Sequence, residues 1–315
     1  MPDLLQICPM TGEMQARLEA VFDISDARGI NDLEGWLDTE GGRFTHVLTD
    51  GHYGVKAPVM DRLPNLSMIS CYGVGYDNID AAAAHQRGVM VTHTPDVLNA
   101  EVANTTLLLI LSVYRELLRD DAWVRSGDWE SKGNAPLTRS VDNCVVGILG
   151  MGRIGQEIAT RLKPFNPTIL YHTRSEKNVP YEYVASLKNM AAQSDILVCI
   201  TPGGSATRHL VNRDVIDALG PEGTLINVSR GSVVDEAELA AALEEGRLGW
   251  AGLDVFEDEP RVPERLRALE NVVLLPHVGS ATVETRRAMG MLAVDNLIDH
   301  LEKGTVKTPV PECAD

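Results

Sequence analysis

The sequence predicts an α/β protein of two domains, each a parallel β-sheet covered by helices, with one domain inserted into the other. Three observations carry this expectation. Apolar runs of strand length alternate with helical patterns almost from end to end, as crossover-connected parallel sheets require. The 315 residues allow two domains of about 150 residues, each with its own core. Two long helical patterns, 99–121 and 282–302, flank the middle block where an inserted domain would be entered and left.

In the first third, strands are expected at 4–7, 45–48, 68–71 and 89–92, with helical patterns between them such as 80–87. Further strands are expected at 144–149, 168–171, 196–200, 224–228, 250–255 and 272–275, and helices at 153–163, 213–219 and 236–245. Short connections between them fit compact α/β units. The stretch 99–121 is apolar through 107–111 and free of Gly and Pro, so it reads as one continuous helix. The last pattern places Met289, Leu292, Ala293, Asn296, Leu297 and Leu301 at helical spacing. The expected division is 1–99 with 285–315 as one domain and 100–284 as the other.

Composition narrows the function classes. Hydrophobic residues make up 44% and charged residues 23%, a globular balance that excludes a disordered or fibrous chain. With 28 Lys+Arg against 45 Asp+Glu, the net charge of −17 opposes sequence-independent nucleic-acid binding and anionic membrane surfaces. The five cysteines are scattered without a CxxC, and the histidines do not cluster, so no metal site is expected. The N-terminus has no basic leader, and the apolar run 105–113 is far short of the roughly 20 residues a bilayer needs. A soluble cytoplasmic protein is the expectation.

The run Cys144-Val145-Val146-Gly147-Ile148-Leu149 leads directly into Gly150-Met151-Gly152-Arg153-Ile154-Gly155 and a helical pattern. In that strand–turn–helix context, GxGxxG is the fingerprint of a dinucleotide-binding turn. Gly150 permits the tight turn, Gly152 admits a pyrophosphate to the backbone, and Gly155 lets helix and strand pack closely. The helix N-terminus then offers N–H groups and a positive dipole end to phosphate. Gly150, Met151, Gly152, Arg153 and Ile154 are the candidate cofactor contacts here.

The following strand should end at the residue that reads the adenosine ribose, where an Asp or Glu marks NAD. This chain has His172-Thr173-Arg174-Ser175, with no carboxylate before Glu176. A guanidinium flanked by hydroxyls suits a 2′-phosphate that a carboxylate would repel. Thr173, Arg174 and Ser175 therefore point to NADPH, with NADH as the second candidate.

Three later segments also follow strands, where ligands of open α/β sheets gather. They are Asn227-Val228-Ser229-Arg230-Gly231, Leu253-Asp254-Val255-Phe256-Glu257-Asp258-Glu259-Pro260 and Leu275-Pro276-His277-Val278-Gly279-Ser280. An Arg, an acid and a His delivered there could surround one small molecule. The acidic run 257–259 lacks a second ligand cluster, so no metal is assigned to it.

Taken in order with the glycine segment 146–155 and the first-domain segment 70–80 (SCYGVGYDNID), these motifs resemble the D-2-hydroxyacid dehydrogenase family over most of the chain. Within it, the glyoxylate/hydroxypyruvate reductases are the most similar group. The resemblance implies a Rossmann-like nucleotide domain inserted in a discontinuous, flavodoxin-like substrate domain, a bilobed shape and a homodimer. It also implies a catalytic set of Arg230, Glu259 and His277. Reducing a 2-oxo acid adds hydride to the carbonyl carbon and a proton to its oxygen. His277 would be the general acid, because imidazolium can donate near neutral pH. Glu259 would accept from its other ring nitrogen and favour its charged form. Arg230 would hold the substrate's oxo and carboxylate oxygens as charge develops. Backbone N–H groups of Val74 and Gly75 would hold the carboxylate from the first domain, with Ser280 as a further substrate contact. Carried over for the cofactor are Thr201 and Pro202 at ribose and pyrophosphate, Thr207 at phosphate, and Val228, Ser229, Asp254, His277 and Gly279 on the nicotinamide side.

Two positions depart from the family pattern: Thr173 stands where many NAD-using members have Asp, and Asn104 where an acid is common. An arm at 127–137 carries Trp129 and Leu137, and Trp129 is expected in interface or core packing. The leading expectation is NADPH-dependent reduction of glyoxylate or hydroxypyruvate. The alternatives are a reductase of a larger 2-oxo acid, such as hydroxyphenylpyruvate or 2-ketogluconate, and a non-catalytic nucleotide-sensing protein like the corepressors built on this scaffold.

Overall fold

Apolar runs flanked by short turns become the strands of two all-parallel sheets. The computed structural model describes residues 1–314, and these form two compact units, Met1–Leu98 with the segment from Thr282 on, and Asn99–Ala281. In the first unit, β1 (Asp3–Gln6), β2 (Asp23–Asp26), β3 (Phe44–Thr49), β4 (Met68–Cys71) and β5 (Met90–Thr92) pair in the order β2-β1-β3-β4-β5. In the second, β6 (Val145–Leu149), β7 (Thr168–His172), β8 (Glu182–Tyr183), β9 (Ile196–Cys199), β10 (Thr224–Asn227), β11 (Trp250–Leu253) and β12 (Val272–Leu274) run β12-β11-β10-β9-β6-β7-β8. Central strands such as β4, β9 and β10 are buried at every position, as sheets covered on both faces demand.

Side-chain caps set several helix starts, each supplying an acceptor to an N–H that the helix itself leaves unpaired. Asp80 accepts from Ala83 N, Asn212 from Val215 N, Asp235 from Glu238 N and Thr282 from Thr285 N. The last of these opens the 21-residue helix Val283–Lys303. Its Ala293, Val294 and Leu297 complete a core cluster with Leu4, Met14, Leu18, Phe22 and Met68. No helix among the described residues is long and apolar enough to cross a membrane.

The structure departs from expectation in four places. The stretch 99–121 is not one helix: Asn99–Tyr114 ends, Glu116 turns left-handed at φ 44°, and Leu117–Arg125 begins. The cause is tertiary, because the Tyr114 carbonyl accepts from Arg139 N and the Arg139 guanidinium stacks 4.2 Å from the Tyr114 ring and 3.5 Å from that of Trp250. β2 and β8 lie outside the expected strands, being polar or two-residue edge segments without an apolar run. Strands β9 to β12 stop one or two residues early, where the chain turns into the loops described below. Trp129 is 59% exposed and donates to Asn134 Oδ1 at 3.3 Å, so core packing is not its role.

Asn296, expected only as a position on a helical face, proves to be a buried tether. Its amide donates to the Leu292 carbonyl and to Thr308 Oγ1, and its Oδ1 accepts from Lys307 N and Thr308 N. Replacing Asn296 with Ala should destabilise the protein by about 2–4 kcal/mol, since a buried side chain and several partly buried groups lose their hydrogen bonds at once. Thermal or urea denaturation of Asn296→Ala measures this, and an unchanged midpoint would refute it.

Candidate active site

Strand order places the glycine turn. β6 is followed by a neighbour on one side (β7) and later by one on the other (β9), so the sheet's switch point lies between β6 and β9. The turn after β6 and the loop at Thr201-Pro202 after β9 leave from that point. Gly150 adopts φ 110°, and a Cβ there would lie 2.7 Å from the Ile200 carbonyl oxygen. A Cβ on Gly155 would lie 2.1 Å from the Gly150 oxygen, so close packing of turn and helix needs both glycines. Gly152 is different. A Cβ there would meet nothing within 4 Å, and Gly152 precedes helix Arg153–Leu162 without a side-chain cap. Open space in front of an uncapped helix N-terminus fits the pyrophosphate of a dinucleotide. Met151 is buried, so only its main chain belongs to the turn, while Arg153 is exposed and Ile154 half-buried.

At the end of β7, Thr173 Oγ1 donates to the Ser175 carbonyl at 2.7 Å, tying the turn that leaves Arg174 and Ser175 exposed. Thr207 Oγ1 donates to the Pro202 carbonyl at 2.8 Å, closing the loop that follows β9.

The other three segments are brought together by register. Asn227 of β10 pairs with Leu253 of β11, and Leu253 with Leu274 of β12, so their loops leave the sheet side by side. Asp254 N then donates to the Asn227 carbonyl, and Leu275 N to that of Leu253. The first two loops also touch backbone to backbone, since a Cβ on Gly231 would lie 1.9 Å from the Phe256 carbonyl carbon. His277 Nδ1 lies 2.7 Å from Glu259 Oε2, and Phe256 N donates to Glu259 Oε1 at 3.0 Å. Because the carboxylate accepts, Nδ1 carries the proton and Nε2 is the nitrogen left for a ligand. Arg230 donates to the Ser229 carbonyl at 2.8 Å, and its charge reaches Glu259.

Electrostatics separate the two central carboxyls. Burial pushes Glu259 upward, but the His277 hydrogen bond and charge, the Phe256 N–H and Arg230 outweigh it and hold the carboxyl below its ordinary value. Asp254 is 2% exposed, and burial raises it despite hydrogen bonds from Val278 N and Gly279 N. Those bonds, at 2.7 and 2.8 Å, make Asp254 the clamp of the histidine loop, with His277 N donating to the Asp254 carbonyl. The clamp holds His277 at φ 54°, a left-handed conformation costing on the order of 1 kcal/mol. Gly279 is buried under Asp254, and Ser280 beyond it is half-buried.

Ser229 is buried, and both its N–H and its hydroxyl donate to Asn227 Oδ1, so its side chain shapes the turn that carries Arg230. Val228 beside it is also buried. Three residues that sequence reasoning missed hold these loops. Asn227 donates to the Arg230 carbonyl, Glu236 accepts from Glu257 N, and His209 binds the Glu257 carboxylate. Only Asn227 carried a signal, as a polar residue closing an apolar strand.

In the first unit, Val74 and Gly75 lie half-buried in the loop after β4. Asn78 braces this loop by donating to the Gly51 and His52 carbonyls, while Tyr72 N donates to the Thr49 carbonyl.

Comparison with known proteins identifies the family. Residues 107–279 match the D-isomer specific 2-hydroxyacid dehydrogenase, NAD binding domain, family. The chain is 45% identical over 308 residues to a hydroxyphenylpyruvate reductase of Plectranthus scutellarioides, covering 98% of each chain. It is likewise 45% identical over 308 residues to glyoxylate/hydroxypyruvate reductase A of Arabidopsis thaliana, with the same 98% coverage. Among solved structures, an NADPH-dependent glyoxylate/hydroxypyruvate reductase from Sinorhizobium meliloti, in complex with NADP and malonate, superposes with a TM-score of 0.93 at 42% identity, covering 99% of this chain and 97% of that one. The chain belongs to the D-isomer specific 2-hydroxyacid dehydrogenase family and is an NAD(P)-dependent oxidoreductase.

Proposed function

We propose that this protein reduces small 2-oxo acids, glyoxylate and hydroxypyruvate foremost, to 2-hydroxy acids with NADPH, giving the D product where the product is chiral. The observation that carries the reading is the 2.7 Å bond that fixes the His277 ring on Glu259 through Nδ1 and leaves Nε2 as the nitrogen facing the ligand. NADPH supplies the hydride. His277 Nε2 gives a proton to the substrate's carbonyl oxygen, and Glu259 keeps the ring oriented. Arg230 binds the oxo and carboxylate oxygens and stabilises negative charge as it develops. The N–H groups of Val74 and Gly75, with Ser280, hold the substrate carboxylate.

The Asn99–Ala281 unit is the cofactor domain in this reading, and the unit built from both ends of the chain is the substrate domain. Gly150 to Ile154, Thr201, Pro202 and Thr207 hold the pyrophosphate and ribose. Val228, Ser229, Asp254, His277 and Gly279 border the nicotinamide side. Preference for NADPH rests on the exposed Arg174 and Ser175 and on the absence of a carboxylate at 172–175. A homodimer is supported by the exposed apolar side chains of Leu117, Leu118, Val124, Trp129 and Leu137 on neighbouring helices and the following arm.

The central experiment is kcat/KM for glyoxylate, hydroxypyruvate, phenylpyruvate and 2-ketogluconate with each cofactor. The proposal expects the two small acids with NADPH to lead; no NADPH oxidation with any of the four would favour a nucleotide sensor. His277→Ala should lower kcat by about 10²–10⁴-fold while NADPH still binds, and near-normal turnover would remove His277 from the mechanism. Arg174→Ala should raise KM for NADPH and leave that for NADH unchanged; equal losses would point to structural damage.

Glu259 also makes a pH-dependent contribution to stability. Its folded value is lowered, so its bond to His277 stabilises fully above the unfolded value of about 4.3 and is lost as pH falls through the folded value. Glu259→Gln should therefore melt below the wild type at neutral pH, with the gap closing below about pH 4. A gap that stays constant would contradict this account.

A further inference from the structure

The loop after β4 owes its shape to the two residues that follow β5. Thr94 N donates to the Gly73 carbonyl at 2.8 Å. His93 Nδ1 lies 2.9 Å from the Val74 carbonyl oxygen. A carbonyl only accepts, so Nδ1 bears the proton and donates. The peptides 73–74 and 74–75 are trans, and a trans peptide points its C=O and N–H in opposite directions. Holding both carbonyls against residues 93 and 94 therefore turns the N–H groups of Val74 and Gly75 to the other side. Among the described residues neither N–H has a hydrogen-bond partner.

His93 is itself firmly placed. Its N–H donates to the Thr308 carbonyl, its own carbonyl accepts from Thr308 Oγ1 at 2.6 Å, and Thr308 Oγ1 accepts from Asn296. Its ring meets that of Tyr76 edge-on, with centroids 5.4 Å apart. Cys71 Sγ also donates to the Gly75 carbonyl, at 3.6 Å.

We infer that His93 is a positioning residue for substrate: its Nδ1–H orients and polarises the Val74–Gly75 peptide so that this peptide's N–H, with that of Val74, receives a carboxylate. The inference rests on the proposed reduction of 2-oxo acids and adds to it a determinant of affinity. A bond to the carboxylate is made equally in the ground and transition states, so its loss raises KM and spares kcat.

Two substitutions separate donor from ring. His93→Phe keeps a ring beside Tyr76 and removes the donor, whereas His93→Asn keeps a donor and removes the ring. With glyoxylate as the varied substrate, His93→Phe should raise KM about tenfold, the scale of one modest hydrogen bond. Its kcat and NADPH dissociation constant should stay within about threefold of wild type, and His93→Asn should restore KM. Thermal melts accompany each variant, and His93→Ala replaces His93→Phe if that chain does not fold. If the wild type is active and both variants keep its KM, or both lose kcat and KM alike, the role of His93 is overturned alone. A wild type inactive on all four acids overturns the proposed function, and this inference with it.

Discussion

Level strand ends are the constraint on which this site depends. Parallel pairing puts the carboxyl ends of neighbouring strands on the same edge, and the register of β10, β11 and β12 aligns Asn227, Leu253 and Leu274 along it. Residues tens of positions apart in the chain thus start their loops within a strand spacing or two of each other. A slip of one strand by a single residue would reverse its buried face and carry its loop away from the others. The backbones of the first two loops approach so closely at Gly231 and Phe256 that no side chain fits between them.

On this platform, rigidity comes from buried polar groups whose hydrogen bonds are made within the loops. Asp254 is the clearest case, a carboxyl taken out of water and given two backbone N–H groups in return. Asn227, Glu236 and Ser229 follow the same pattern. Each such group would cost a few kcal/mol if left unpaired, which penalises every loop conformation but one. The left-handed backbone of His277 persists because the Asp254 clamp over-determines it. The imidazole is therefore held in place before any ligand arrives, from one side by its own loop and from the other by Glu259.

Much of this was legible in the sequence, and the rest has identifiable physical reasons for staying hidden. Alternating apolar runs announced nearly all of the sheet strands, and the spacing Gly150, Gly152, Gly155 announced a turn whose steric demands the structure bears out at Gly150 and Gly155. Segments after strands offer an Arg, an acid and a His, and it is the family resemblance that puts the catalytic set on Arg230, Glu259 and His277. Their proximity came from register, which periodicity does not encode. The break after Tyr114 was hidden because no Gly or Pro marks it; an arginine 25 positions later supplies the stop. The resemblance makes Asp254 a cofactor contact, whereas its clamping of Val278 and Gly279 depends on loop geometry that the sequence does not encode. His93 carries no signal in the sequence, since a histidine past a strand end says nothing of the carbonyl it faces.

The unit assembled from both ends of the chain has a consequence for biosynthesis. Its five strands and their helices emerge from the ribosome first, yet the apolar face formed by Leu4, Leu18, Phe22 and Met68 is covered only when Ala293, Val294 and Leu297 are made. Between the two, the whole Asn99–Ala281 unit is translated, a delay of roughly ten seconds or more at ordinary elongation rates. The inserted unit is thus free to fold while its host still waits, with greasy surface bare, for its closing helix. That interval is when the nascent chain most needs shelter from other chains.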